Sequence, residues 1–396
     1  MSGIVLSSSV RQNLLSLQST ADLLSTTQNR LATGKKVNTA LDNPTNFFTA
    51  ASLDNRANDI NNLLDGIGNG VQVLQAANTG ISSLQKLVDT AKSIAQQVLQ
   101  APVGYSTKSS VASGANAGAT AANLLGGTGI VQSDVLTIAA TGGGTASSIT
   151  FGTGATEVDT LTELNAALAA NNLQASVDDT TGKITITTTN DAASATVGAL
   201  AGTATGAGKA FLAASVTTVV KVADATSQTT RANLVAQYNN IIAQITTTAQ
   251  DASFNGTNLL NGDNLKLTFN ETGKSTLNIA GVSYNAAGLG LASLVGGTDF
   301  LDSGSANKVI SSLGSASNAL RSQASALGSN LSIVQIRQDF SKNLINVLQT
   351  GSSNLTLADT NEEAANSQAL STRQSIAVSA LSLANQSQQS VLQLLR

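Results

Sequence analysis

The sequence predicts a mainly α fold in which amphipathic helices at the two ends meet in a coiled coil and enclose longer helices, with a small α+β domain inserted between them. Three observations carry this reading. Apolar residues recur at steps of three and four at both extremes of the chain. A second helical pattern covers roughly 54–101 without a proline. Residues 103–226 then change composition to Gly, Thr, Ala and Ser with short β-branched runs.

Near the N-terminus, Val10, Leu14, Leu17, Ala21, Leu24 and Leu31 recur at alternating steps of four and three, with Gln28 at the one polar step. That is a heptad seam, the pattern of a helix that faces another helix. Gly34 in TGKK ends it, and Lys35 and Lys36 suit a helix C-terminus. Pro44 falls in LDNPTN, which reads as a linker. In the second run Ile60, Leu64, Ile67, Val71 and Leu74 form one seam, continued after a phase slip by Ile81, Leu84, Val88, Ala91, Ala95 and Val98. Gly66, Gly68, Gly70 and Gly80 each weaken that helix by up to about 1 kcal/mol relative to Ala, so they predict the close approach of another backbone. Pro102 closes it.

In the middle region VLTIAA (135–140) and SITF (148–151) read as strands. DTLTELNAALAANN reads as a short helix capped by Asp159 or Thr160, with Glu163 in the capping-box position. QASVDDTTGKITITTT alternates on both sides of a turn at Asp178 to Lys183 and predicts a hairpin. Flexible Gly/Ala/Thr linkers are expected on either side of this domain. Helical pattern returns near 227, with Leu234, Val235, Tyr238, Ile241, Ile242 and Ile245 on one side, and ends at SFNGTNLLNG. LKLTFNETGKSTLNIAG predicts a second hairpin around Glu271 to Lys274. A long helix from about 304 to 350 carries Val309, Leu313, Ala316, Leu320, Leu327, Leu331 and Val334. After Gly351 a last helix sets Ile376, Ala380 and Leu383 beside Ala377, Leu381 and Ala384, and Val391, Leu392, Leu394 and Leu395 crowd its final six positions.

Composition narrows the function. Of 396 residues only 11% are charged, against roughly 25% in ordinary soluble domains, and the formal net charge is −3. Little repulsion opposes self-association. The chain has no Cys and no His, which removes thiol chemistry, thiolate metal sites, histidine bases and Ser-His-Asp arrangements. No apolar run approaches the ~18 residues of a membrane span, and MSGIVLSSSV lacks the form of a cleaved secretory signal. A pI near 5.0 argues against nucleic acid as a partner. Asp178–Asp179 and Glu362–Glu363 read as solvated surface pairs. GTATGAGKA (202–210) misses the phosphate-loop spacing, with Ala210 where Ser or Thr should hold magnesium, and reads as a flexible linker. The Ser/Thr-rich middle reads equally as plain solvent-facing strands or as a carrier of O-linked sugars. No catalytic set and no cofactor are expected.

An isolated heptad helix needs a partner, and the C-terminal seam is the simplest one for the N-terminal seam. Two narrow helices cannot cover the stripe of Val391, Leu392, Leu394 and Leu395, so further copies of the chain are its natural cover.

At this point the chain resembles bacterial flagellin, the filament subunit of the flagellum. SLQSTADLLSTTQNRLATGKKVNTALDN matches the opening helix and turn of that family, and DGIGNGVQVLQAANTGISSLQKLVDTAKSIAQQ its long shaft helix. FNGTNLL (254–260), GLGL (288–291) and ALSLANQSQQSVLQLLR match its hairpin turn, hairpin exit and tail. The resemblance implies a long helical rod. Residues 1–43 and 352–396 would form an inner coiled-coil filament core, and 44–102, 227–290 and 304–351 an antiparallel helical shaft with a β-hairpin at 264–281. Residues 291–303 would connect, and 103–226 would be the inserted outer domain. The implied filament-core interface is Val10, Leu14, Leu17, Leu24 and Leu31 with Ile376, Leu381, Leu383, Val391, Leu392, Leu394 and Leu395. The implied partners are further copies of itself, an export chaperone, and junction and cap proteins. The implied location is the extracellular flagellum, reached without a cleaved signal peptide and without membrane insertion.

The alternative within the resemblance is a hook–filament junction protein. From another class, a carbohydrate-binding adhesin built on 103–226 has only Tyr105, Phe151 and Phe211 for a sugar platform. Three departures from the family pattern stand out. DNPTNFFTAASL replaces a common DDAAG, so Pro44, Phe47 and Phe48 are expected to alter the joint between core and shaft. The outer domain interrupts the chain after 102 instead of after GLGL. The stretch read by the innate flagellin receptor in many relatives, LQRVRELA, is LQKLVDTA here: Leu84, Gln85, Lys86, Leu87, Val88 and Asp89 open it, with Val88 in place of the central arginine. Valine cannot replace the donors of a guanidinium, so weak receptor activation is expected.

Overall fold

The computed structural model describes residues 8–394, with the side chains at 388 and 391–394 excepted. Helix α1 spans Ser8–Thr33 and α2 spans Pro44–Gln100, 57 residues in one run. The middle region holds strands β1 (Tyr105–Thr107), β2 (Ser110–Ala112), β3 (Val135–Ile138) and β4 (Ser147–Thr150), then helix α3 (Leu161–Ala169). Strands β5 (Leu173–Asp178), β6 (Lys183–Thr188), β7 (Leu200–Ala201), β8 (Thr217–Val219) and β9 (Val222–Ala223) follow. Helix α4 covers Ala225–Asp251, the hairpin β10 (Leu265–Thr268) and β11 (Thr276–Ile279) comes next, and the chain continues as α5 (Ser303–Thr356) and α6 (Thr360–Leu394).

The described residues fall into two compact units. One comprises 8–71, 266–278 and 332–394; the other comprises Gln72–Leu265 and Ile279–Leu331. In the first, Ala57 and Ile60 of α2 pack with Ile345 and Leu348 of α5. Arg56 pairs with Glu271 at 2.8 Å, and the Arg337 guanidinium lies 5.8 Å from the Phe269 ring centre.

The second unit contains the inserted domain. Its four-stranded sheet runs β5-β6-β2-β8 and its three-stranded sheet β4-β3-β7. Alternate residues point inward, so Ile184 and Ile186 join Leu136, Ile138, Ile149 and Phe151 in one core with Leu164 and Leu168 of α3. Thr160 caps α3 in a complete capping box with Glu163.

Where the inserted domain returns to the helices, Arg231 of α4 is fully buried. Its guanidinium donates to the carbonyls of Val98 (3.0 Å), Ala101 (2.9 Å), Pro102 (2.6 Å) and Phe300 (2.5 Å). The last turn of α2 leaves carbonyls without helical partners, and a cation there satisfies them. Burial lowers the affinity of this guanidinium for its proton, and nearby Asp302 opposes that shift. Strands β1 and β9 pair across the two chain crossings, and the Asp224 N–H donates to the Gly104 carbonyl at 3.0 Å.

Several expectations need correction. Helix α2 begins at Pro44, not near 54. Proline lacks an N–H and suits the first helical position, and the Asn43 side chain caps the helix by accepting the Asn46 N–H at 3.0 Å. Gly351 lies inside α5, and the break falls at 357–359 instead. The close approaches at Gly70 and Gly80 are to side chains: a Cβ at Gly70 would fall 2.4 Å from Leu267 Cδ2, and one at Gly80 2.6 Å from Ala252 Cβ. Gly66 has nothing within 4 Å and Gly68 only Gln338 Nε2 at 4.0 Å, so no neighbour in this chain requires them. Residues 202–210 are no flexible linker, because Lys209 pairs with Asp134 at 2.9 Å and Ala210 and Phe211 are buried. Glu363 is buried and ion-paired, not solvated. Asp178 and Asp179 each accept hydrogen bonds, the latter from the Ala121 N–H at 3.1 Å.

Thr188 is buried on the inward face of β6, and its hydroxyl has no hydrogen-bond partner. Thr188→Val keeps the shape and removes the orphaned donor, so it should stabilise the inserted domain by about 1 kcal/mol. A urea titration monitored in that domain checks this, and a lowered midpoint would contradict it.

Candidate self-assembly surface

Helices α1 and α6 pack against each other as an antiparallel pair. One end of the pair is fastened twice. Arg30 Nη1 donates to Glu363 Oε1 at 3.3 Å. Beyond α1, Gly34 turns the chain with φ +68°. Residues 34–37 then bond to 356–358: Lys36 N–H to the Thr356 carbonyl at 2.7 Å, and Ala358 N–H to the Gly34 carbonyl at 3.0 Å. Lys35 and Leu357 form an antiparallel bridge. Asp359 starts α6 by accepting the Asn361 N–H at 2.9 Å. Asp42 closes the turn before α2 by accepting the Thr39 and Asn38 N–H groups, at 2.8 and 2.9 Å. Those bonds, Thr39 first, hold its carboxyl below the usual range.

The seam on α6 is a regular heptad of buried or half-buried residues: Glu363, Ser367, Leu370, Gln374, Ala377, Leu381 and Ala384. On α1 the covered positions are Val10, Asn13, Leu17, Thr20, Ala21, Leu24, Thr27 and Arg30. Val10, Leu17, Leu24 and Leu381 of the expected interface therefore lie on the seam within the chain. Leu14 and Leu31 do not: polar residues take the alternate positions, and both leucines stay exposed. Thr20 tolerates burial because its hydroxyl donates to the Ser16 carbonyl at 2.8 Å.

Large apolar side chains lie outside the seam. Leu15 is 68% exposed, Ile376 63% and Leu383 69%. Ile376 and Leu383 are seven apart and share a face, while Val378 lies on another side of α6. The pair thus carries apolar groups on more sides than one partner helix covers. Val391, Leu392 and Leu394 fall in α6 but their side chains, and Leu395 altogether, lie outside the described residues.

The structure adds a stripe that the sequence reading missed. Ile333, Ile336, Phe340 and Val347 of α5 are exposed at helical spacing, within the same unit as α1 and α6. The steps of three and four were visible, but Val334, Ile345 and Leu348 form a second, buried face in the same segment and masked them. Phe48, near the start of α2, is also exposed, while Phe47 is half-buried. In the receptor-like stretch, Leu84 and Val88 are fully buried, Gln85 and Leu87 half-buried, and Lys86 and Asp89 exposed.

Among the described residues no group of three His, Cys, Asp or Glu side chains could hold a metal ion, and no helix is long and apolar enough to cross a membrane. The seam predicts a contrast between two leucines. Leu381→Ala should weaken the α1–α6 pair by about 1–2 kcal/mol. Leu383→Ala should leave the free chain unchanged. Amide exchange in α1 measures both, and equal effects would contradict the assignment.

Residues 5–117 match the bacterial flagellin N-terminal helical region and residues 310–395 the bacterial flagellin C-terminal helical region; together they cover half of the chain. The chain is similar to flagellin FljM of Caulobacter vibrioides, with 32% identity over 165 residues, 41% of this chain and 59% of that protein. Flagellin FljK of the same organism is 32% identical over 166 residues with the same coverage. Flagellin A of Rhizobium meliloti is 34% identical over 124 residues, 31% of this chain and 27% of that one. The chain thus spans less than two thirds of the length of these relatives.

Proposed function

Because the chain belongs to the bacterial flagellin family, we propose that it is a structural subunit that polymerises into the extracellular flagellar filament and serves motility. The observation that carries this reading is the α1–α6 pair, which leaves Leu15, Ile376 and Leu383 facing solvent on several sides. Each such side chain contributes about 1.5–3 kcal/mol when fully buried, and a polymer repeats that gain at every subunit. The low charge content and small net charge favour the same outcome, since little repulsion separates the copies.

In this reading residues 1–43 and 352–396 form the filament core, and 44–102, 227–290 and 304–351 the surrounding shaft. Residues 103–226 form the outward domain, and 291–303 connect. The exposed stripe Ile333, Ile336, Phe340 and Val347 belongs to the contacts between copies. The subunit works without a cofactor, and its other partners are an export chaperone and the junction and cap proteins at the two ends of the filament.

Electron microscopy of the pure chain with and without residues 1–40 tests this. Long filaments from the full chain and none from the truncated one are expected. Ordinary filaments from the truncated chain would refute the role of the ends, and a full chain that stops at short rings would favour a junction protein.

The receptor stretch gives a separate expectation. Val88 is buried, so that position offers a receptor no donor, and only Lys86, Asp89 and Thr90 are freely exposed. Purified monomer should activate a receptor reporter cell weakly; nanomolar activation would contradict this.

A further inference from the structure

The two edges of the sheet β5-β6-β2-β8 are treated differently. At β5 the edge is guarded. The Asn165 side chain of α3 accepts the Ala175 N–H at 2.6 Å and donates to the Ala175 carbonyl at 3.2 Å, imitating a neighbouring strand. At β8 no such guard is present among the described residues. Thr217, Thr218 and Val219 are all exposed and pair on one side only, with Ala112, Val111 and Ser110. An open edge of this kind is a template for another strand, and proteins usually blunt it with a charge, most often lysine. The lysine next in sequence has been withdrawn: Lys221 donates to the Ser194 carbonyl and lies 5.3 Å from the centre of the Tyr105 ring. What remains along the edge, residues 216–220, is Val-Thr-Thr-Val-Val, β-branched and uncharged throughout.

Beside the inner face of β8 lies a groove of about 330 Å³ lined by Val111, Val197, Leu200, Phe211, Val216 and Thr218. Val220, just past the strand, is 69% exposed. We propose that two copies of the chain pair antiparallel through β8, with Val220 of each copy seated in the apolar groove of the other. Pairing centred on Thr218 sets Thr217 opposite the partner's Val219. One step further, Val216 of the groove stands opposite the partner's Val220. Alternation along an extended strand puts residues 216, 218 and 220 on the same face, so Val220 is directed to the groove side. The contact is self-complementary, as a two-fold interface between identical chains requires, and no charge opposes it. It is distinct from the head-to-tail contacts of a helical polymer, and it stands or falls independently of filament formation.

The absence of cysteine makes the test clean. Directly opposed residues in an antiparallel pair have Cβ atoms about 4.5–5.5 Å apart, close enough for small backbone adjustments to admit a disulfide. The full-length chain carrying Thr218→Cys should therefore form a disulfide-linked dimer under mild oxidation. The rate should exceed by about tenfold that of the chain carrying Gln174→Cys on the guarded edge, a difference equivalent to 1.4 kcal/mol in pairing. Adding Val220→Lys to the Thr218→Cys chain should erase that advantage while leaving its thermal unfolding unchanged. Equal rates for the two single variants would overturn the proposal. So would a Thr218→Cys rate indifferent to Val220→Lys, or capture of an unrelated chain in place of a second copy.

Discussion

Two packed helices share one seam, and a helix with apolar groups on several sides cannot hide them all against a single partner. That constraint governs the terminal pair of this chain. Its internal seam is small and partly polar, built from Thr20, Thr27, Ser367 and Ala377 between Val10, Leu17, Leu24 and Leu381. The larger side chains, Leu15, Ile376 and Leu383, are turned elsewhere. A globular protein would spend its leucines on its own core and leave the threonines outside. Here the leucines are divided between the seam and the solvent-facing sides, so the pair is held by modest contacts and much of its apolar area stays uncovered. The low charge content leaves little repulsion around those faces.

Inserting a domain into a helical framework raises a separate difficulty, because both chain crossings must be closed without leaving backbone groups unpaired. Arg231 answers it with one side chain. Its donors meet the carbonyls at the end of α2, the turn at Pro102 and the segment before α5, converting several orphaned acceptors into charge-assisted bonds. No carboxylate forms an ion pair with it among the described residues; the helix terminus itself supplies the negative potential. Within the inserted domain, strand pairing and the Thr160–Glu163 cap follow local rules that are independent of the helices.

Much of this architecture was legible in the residues. The seam from Ile60 to Val98 is buried as its periodicity requires, with only Leu64 half-covered, and both hairpins turn where their polar residues stand. What escaped has physical reasons. Pro44 breaks a helix in its interior but favours its first position, and only the cap from Asn43 distinguishes the two. Gly351 is a poor helix former, yet packing carried α5 past it. The phase of the α1 seam was read from its leucines, whereas leucines on several faces cannot identify the one that stays inside the chain. The buried Arg231 gave no signal either, because nothing in its local sequence announces four carbonyls gathered from distant segments. Membership of the family was readable from separated motifs, while the α5 stripe became apparent only once burial separated two interleaved faces.

The clasp between residues 34–37 and 356–358 carries a mechanical consequence. Both helices of the terminal pair meet it, α1 through Gly34 and α6 through Ala358. Separating the two helices at this end therefore requires breaking these backbone bonds and the Arg30–Glu363 bridge. Inserting a single residue on either side would slip the crossing by one step and turn every downstream side chain of that helix by about 100°, so length at this point is fixed more tightly than sequence.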